Sequence, residues 1–560
     1  MVNKVLGRLN ILKQKNSIKN GKNLNWVNKD SELYPFFFKK EMYILAYENI
    51  KSNKSSLTPG TDNKTLDGFS EKTIQTICNK MKTEQYTFSK AKKIYIPKIS
   101  GKLRPLDIPT ATDKIVQEII RIILEAIWDS PENPQFSEVS HGFRPGKGAH
   151  SALQYIDQKF KNIKWVIEGN IENTYDSINH TYLMNILEKR IQSGRFLRLI
   201  RKTLNAGYLE FKTPINSIMG TPQGSVVSPI LANIYFHELD TYVLQKIKKI
   251  EETYNAEKTF YKARNPEQTS SVQFTLYPEY VLESNLLPRC IRADKKFLTS
   301  NGKENPTAEK DTSENLKQAK LELFKENVSL SQKLPIRIKY VRYADDWIVG
   351  VDGSVEIARE IKRGIQDFLK KTLKLQLNED KSKITHVKCK EFFFLGYSIG
   401  IAPSVKIAFI RKKNSKKKNF FKKTTGYLLK FKAPIRKLIK KLYEKKFCTI
   451  NGFPTSRKSW TVLEDHVIIT NFNLVLRKLL GYYSGAHNKK SLRNIQLILQ
   501  YSCAMTLGHK HRLNIPKIFK KFGTTLKVSD GNNQTCLALE NFSKKKRVWR
   551  VGTCLQNQFF

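Results

Sequence analysis

The chain has 560 residues, with 99 Lys and Arg against 50 Asp and Glu, a formal net charge of +49. A hydrophobic content of 40% is enough for several cores and excludes wholesale disorder, while so large a cationic excess would repel itself in a free monomer and points to a polyanionic partner, nucleic acid first. Seven cysteines stand singly, without a Cys-x-x-Cys pair or a Cys/His run at zinc spacing, and no apolar run reaches the roughly 18 residues of a membrane span, so disulfide scaffold, zinc module and membrane protein are set aside.

The N-terminus, MVNKVLGRLNILKQKNSIKNGKN, is basic and acid-free, which fits either a targeting segment or a nucleic-acid-binding arm. Residues 1–90 read as an N-terminal extension and the start of a helical unit, broken at 52–68 by a loop with Pro-Gly and Asp-Gly turn signals. Residues 91–110, AKKIYIPKISGKLRPLDIPT, read as a hairpin turning at Ser100-Gly101. The next segment, 113–128, places Ile115, Ile119, Ile122, Ile123 and Ile127 on one helical stripe, with Asp113 at its N-cap or in its first turn. A helix over about 148–160 and a strand over 165–171 follow. After GTPQGSVVSP (220–229) comes an apolar helix, ILANIYFHELDTYVL, and then a polar stretch, 245–334, read as a surface insertion.

At 338–350 the sequence IKYVRYADDWIVG sets Asp345 and Asp346 side by side between two apolar strands. Adjacent carboxylates repel, and burying them unpaired is costly. The arrangement makes sense where a divalent ion bridges them to a phosphate, because Mg²⁺ takes one or two carboxylates together with phosphate oxygens and water. An acidic surface turn is the plain alternative, so the rest of the sequence has to decide. A helix over 354–372, a strand–turn region over 373–390 and the apolar run EFFFLGYSIG (391–400) come next. A sharp shift to lysine at 412–423 marks a domain boundary, followed by a basic amphipathic helix over 433–446 with Pro434 in its first position, and two or three further helices over 460–520. The tail, 526–560, reads as irregular.

From about residue 40 to 525 the chain resembles the group II intron-encoded reverse transcriptase/maturase family. YIPKISGKLRPLDIPTATDKIVQ resembles its fingers block and SHGFRPGKGAHSAL (140–153) the block after it. GNIENTYDSINH (169–180) resembles the first palm motif, GTPQGSVVSPILANIYFHELD (220–240) the Pro-Gln-Gly block, and YADD (343–346) the second palm motif. LQLNEDKSKITH (375–386) and FFLGY (393–397) resemble the last palm blocks. DHVIITNFNLVLRKLLGYYSGAHN, YSCAMTLGHKHRL and IFKKFG resemble the maturase domain. The blocks occur in the family's order.

The resemblance implies an α+β right-hand polymerase, with fingers and palm over 91–400 and an all-helical thumb/maturase domain over 412–525. It implies that Asp345 and Asp346 bind catalytic Mg²⁺, that Lys98 and Arg104 touch the incoming nucleotide, that Tyr175 lies under its sugar, and that Gln223 and Gly224 line the template-primer groove. A solvated hairpin face is the alternative for Lys98 and Arg104. Where the family's first palm motif carries a metal-binding aspartate, this chain has Asn170. An amide is a poorer Mg²⁺ ligand than a carboxylate and removes one of three negative charges. Glu172, two residues on, shares a strand face with Asn170 and offers a shifted metal site.

The resemblance also implies that the RNA supplies the splicing chemistry and the protein supplies binding. The expected partner is group II intron RNA, held by Lys416, Lys417, Lys418, Arg436, Lys437, Lys440 and Lys441, and further on by Tyr482, Tyr483, Lys489, Lys490, His509 and Lys510. Tyr482 and Tyr483 have an equal alternative as core aromatics. The expected function is intron maturation with a degenerate palm; the alternative is an active RNA-directed DNA polymerase that also matures its intron. Cys536 and Cys554 lack the partners of a His-Asn-His endonuclease, so DNA cleavage is not expected. Residues with A/T-rich codons are abundant, which suggests an organelle, plastid ahead of mitochondrion, with a low-GC bacterium as the other source.

Overall fold

The computed structural model describes residues 2–16, 28–97, 103–130, 134–210, 213–215, 219–221, 224–264, 336–410, 420–530, 533–539 and 547–550. The expected hairpin forms as β1 (Ala91–Pro97) and β2 (Leu103–Ile108), paired antiparallel from Lys92↔Ile108 to Pro97↔Leu103. The isoleucine-striped segment is the helix Ala111–Trp128. Its cap is Thr110, whose hydroxyl accepts from the Asp113 N–H, while the buried Asp113 carboxylate receives Tyr86, Ser89 and Thr110. Asp113 thus sits in the first turn, one of its two expected places.

After β3 (Trp165–Asn170) come the short β4 (Tyr208–Glu210) and β5 (Thr213–Ile215), which extend the hairpin into a sheet of order β2-β1-β4-β5. The central sheet adds β6 (Arg337–Tyr343), β7 (Asp346–Asp352) and β8 (Lys383–His386) to β3, in the order β6-β7-β3-β8, antiparallel throughout. Both faces of this sheet are covered. Ile167, Tyr340, Trp347 and Val349 belong to one core, with the 111–128 helix. Val166, Val341 and Ile348 belong to a second core that runs on into the C-terminal helices. Double coverage explains why β7, DWIVGVD, reads as a near-continuous apolar run, whereas β6, RIKYVRY, carries Arg337, Lys339 and Arg342 among its apolar residues.

The apolar helix after residue 228 differs from expectation. It runs from Ser228 to Arg264, well past Leu244, and its Val243, Ile247 and Ile250 are buried. These recur at helical spacing, and Glu251 accepts the Ile338 N–H at 2.7 Å, so the start of the polar stretch is part of the palm's support. Residues 265–335 lie outside the described residues.

β9 (Phe392–Phe394) turns through Leu395 and Gly396 into β10 (Tyr397–Ile410), which pairs with β11 (Phe420–Lys432) from Ser398↔Lys432 to Ile410↔Phe420. The expected boundary therefore falls between paired strands, with 411–419 outside the described residues. Helices Ile435–Glu444, Asp465–Tyr482, Lys489–His511 and Ile515–Phe522 complete the C-terminal unit, with Pro434 at the N-cap of the first. The tail is not irregular throughout. β12 (Val528–Asp530) pairs with β13 (Asn533–Thr535), and residues 547–550 return to the palm, where Trp549 packs on His150 and Phe431 and the Arg550 N–H reaches His150 Nδ1 at 2.9 Å. No described helix is long and apolar enough to cross a membrane.

Candidate active site and nucleic-acid interface

β6 and β7 are joined by a two-residue loop, Ala344-Asp345, in which Ala344 takes φ +54°. A non-glycine residue in that region is strained and needs support. The support is Arg342, whose side chain is fully buried and ion-paired with equally buried Asp240 at 2.7 Å. The same guanidinium donates to Ser140 Oγ at 2.8 Å and to the Ala344 carbonyl at 3.0 Å. Gly142 lies against the turn so closely that a Cβ there would stand 2.5 Å from the Ala344 nitrogen. The SHGFRPG segment thus braces the aspartate turn from behind, and Arg144, paired with Asp129 at 2.7 Å in the interior, fixes that segment in turn. This explains a charged residue in the middle of an apolar strand, and sequence reasoning passed over both Arg342 and Asp240.

Register brings residue 170 to the same place. Asn170 stands opposite Asp346 in the β3–β7 ladder, and its Nδ2 donates to Asp346 Oδ1 at 2.5 Å. Lys381 Nζ donates to Asn170 Oδ1 at 3.3 Å. An ammonium only donates, so its partner is the amide oxygen and the nitrogen faces Asp346. Burial and the neighbouring Asp345 push the Asp346 carboxyl up to about 6, against the lowering effects of the Asn170 hydrogen bond and the Lys381 charge. Asp345, Asp346 and Asn170 therefore lie together at one turn. Lys381, in LNEDKSK, is a member the sequence reading missed; a lysine three residues after an asparagine on a tight turn carries no signal without the fold.

This donor set fits a two-Mg²⁺ centre poorly. The amide presents N–H groups to the carboxylate, and its oxygen faces a cation, where a ligand oxygen is needed. The shifted site is not formed either. Glu172 is exposed on the turn after β3, with its N–H held by the Gln376 carbonyl at 2.9 Å, and among the described residues no three His, Cys, Asp or Glu side chains cluster as a metal site.

Around the turn, the Pro-Gln-Gly block meets the first palm motif. The Thr221 N–H bonds the Tyr175 carbonyl at 2.6 Å, and Gly220, at φ +89°, packs on Asp176 too closely for a side chain. Gly224, at φ +113°, lies against the Asp107 carbonyl, so the loop also touches the fingers hairpin. Tyr175 is half-buried on the main core. Arg104 is on β2, facing Ile96 in the ladder, while Lys98 and Gln223 lie outside the described residues.

The chain matches the model of the reverse transcriptase (RNA-dependent DNA polymerase) family over residues 96–262 and 316–399, and that of the type II intron maturase family over 427–559. It is 34% identical over 532 residues to the group II intron-encoded protein LtrA of Lactococcus lactis subsp. cremoris, covering 93% of this chain and 82% of that one. The chain belongs to the group II intron-encoded reverse transcriptase/maturase family. It is also 34% identical to an uncharacterized 91 kDa protein in a cob intron of Schizosaccharomyces pombe (93% of this chain, 60% of that one). To Maturase K of Chara connivens it is 25% identical, over 78% of each chain.

In the maturase unit, Arg436, Lys437 and Lys440 are exposed on the 435–444 helix, Leu438 and Leu442 are buried beneath them, and Lys441 is half-buried. His509 and Lys490 are exposed, and Lys489 is half-buried. Lys416, Lys417 and Lys418 lie outside the described residues. Three expected RNA contacts are corrected. Tyr482 and Tyr483 are buried, and their hydroxyls donate to the carbonyls of Leu395 (2.7 Å) and Gly396 (3.2 Å), so they clamp the turn between β9 and β10. Lys510 is turned inward, bonded to Asp465 at 2.7 Å and to the Leu463 carbonyl. Asp465 also receives His511 Nε2, so it ties together the end of the 489–511 helix.

Proposed function

We propose that this protein is an intron maturase that binds group II intron RNA and assists its splicing, with a palm impaired for DNA synthesis. The observation that carries the reading is the Asn170–Asp346 hydrogen bond backed by Lys381. It replaces one carboxylate–metal contact with a donor and a nearby cation, in a site that must hold two dications to clamp both oxygens of a phosphoryl transfer. The supporting framework is intact: the Arg342–Asp240 pair holds the turn, and the exposed Arg436, Lys437 and Lys440 present charge for phosphates. Such a protein neutralises the repulsion that opposes compaction of a structured RNA, and recognition rests on shape and on unstacked bases. Family membership supports the RNA partner; the weakened palm rests on the donor set. Residence in a plastid is proposed on residue composition alone, since the relatives come from Lactococcus lactis and Schizosaccharomyces pombe as well as Chara connivens.

The test is protein-assisted splicing of a candidate intron at low Mg²⁺, comparing the native chain with Asp345→Asn/Asp346→Asn and with Arg436→Gln/Lys437→Gln/Lys440→Gln. The carboxylate variant is expected to splice like the native chain and the basic-helix variant to lose stimulation. The opposite ranking, with RNA binding retained by the carboxylate variant, overturns the proposal.

A further inference from the structure

A cavity of about 210 Å³ opens where the β9–β10 turn meets the 435–444 helix, lined by Phe393, Leu395, Gly396, Lys437, Lys441 and Tyr483 among others. Its size is below the ~300 Å³ at which pockets for drug-sized ligands begin and far above the ~30 Å³ share of one water, the scale of a single heterocycle. Its walls are rigid. Strand β9 alternates, with Phe392 and Phe394 buried and Phe393, between them, 47% exposed at the mouth. The turn below carries two positive-φ residues, Leu395 at +46° and Gly396 at +73°, and the tyrosine clamp holds both carbonyls. Lys437 and Lys441 stand one helical turn apart on the same face.

We infer that this cavity is a stacking pocket for one unpaired nucleotide of a bound RNA, with Phe393 under the base and Lys437 and Lys441 on the flanking phosphates. The inference rests on the RNA-binding reading above and adds to it a specific residue contact. Lys437 Nζ now lies 3.9 Å from the centroid of the Phe393 ring. An exposed cation–π contact is weaker than the stacking of a base on an aromatic side chain. A base therefore displaces the ammonium from the ring, and the ammonium released at the rim meets the phosphate. Lys441 points the same way. Burial, with Lys445 and Lys437 adding repulsion and Glu444 opposing it, lowers its ammonium to about 8, and a phosphate beside it would favour the charged form. Pockets of this kind select unstacked nucleotides over duplex, because only a splayed base presents its π-face.

The test uses short oligoribonucleotides carrying one 2-aminopurine, either in a single-base bulge or inside a continuous duplex, bound to the full-length protein and to Phe393→Leu and Lys437→Gln/Lys441→Gln variants. Fluorescence of the bulged base is expected to fall on binding to the native chain and to stay unchanged with Phe393→Leu, while the lysine variant binds the bulged oligonucleotide at least tenfold more weakly. With the duplex probe, fluorescence should not differ between the native chain and Phe393→Leu. Near-native melting temperatures establish that the variants are folded. Equal quenching by the native chain and Phe393→Leu overturns the pocket, and so does the absence of quenching while intron RNA still binds. Failure of the native chain to bind intron RNA at all sinks the maturase reading instead.

Discussion

The side-chain amide of Asn170 donates to Asp346 Oδ1 across the β3–β7 ladder at 2.5 Å, and its oxygen receives Lys381. Restoring a carboxylate by Asn170→Asp puts three acids at one turn. Without metal these repel, and the variant is expected to melt below the native chain in EDTA. Mg²⁺ at about ten times its dissociation constant should then return roughly 1.4 kcal/mol to the variant and much less to the native chain. Thermal melts with and without millimolar Mg²⁺ check this; identical Mg²⁺ shifts in the two proteins count against it.

The buried Arg342–Asp240 pair supports the turn at a stated cost. Removing one partner, as in Arg342→Ala, strands the other charge in the core and should destabilise by about 3–5 kcal/mol. Replacing both, as in Arg342→Met/Asp240→Leu, should recover most of that loss. Denaturant titration of the two variants distinguishes a stranded charge from a site that cannot tolerate substitution.

The tyrosine clamp joins the β9–β10 turn to the 465–482 helix and the turn that follows it. Tyr482→Phe and Tyr483→Phe each remove a hydroxyl from a turn carbonyl and are expected to cost about 0.5–1.5 kcal/mol. Were these residues RNA-stacking platforms, Phe would conserve the ring and affinity would be unchanged with no effect on stability. Chemical denaturation beside RNA titration separates the two roles.

Acid should loosen the palm. Burial, with Lys147, Arg144 and Arg342 adding repulsion, lowers His141 to about 3, and burial also lowers His150, which accepts the Arg550 N–H. Both native values lie below the ~6.5 of an exposed histidine, so the unfolded chain binds more protons between them. These histidines therefore contribute stability fully above about pH 6.5 and lose it as pH falls, His141 down to about 3. Stability of His141→Gln measured from pH 8 to 5 should show a shallower decline than that of the native chain; parallel curves contradict the assignment.

Much of the polymerase unit was legible because its signals are local. The Ile115–Ile127 stripe gave its helix, and the alternating hairpin at 91–108 gave its strands. The two aspartates and Asn170 were found by motif order, and register then placed them in one pair. What escaped was set by tertiary partners. Lys381 is near Asn170 only through the fold, and the buried Arg342 is explained only by Asp240, about a hundred residues away. Tyr482 and Tyr483 read equally as surface or core aromatics until the β9–β10 turn was seen beneath them. The long helix past residue 244 was hidden because its polar face outweighs Ile247 and Ile250 in composition.

The most direct measurement is primer extension on an RNA template by the purified full-length protein, beside Asp345→Ala and Asn170→Asp. The account predicts no product above the Asp345→Ala background for the native chain, even with saturating Mg²⁺ and nucleotides. Efficient extension by the native chain, abolished by Asp345→Ala, would contradict it.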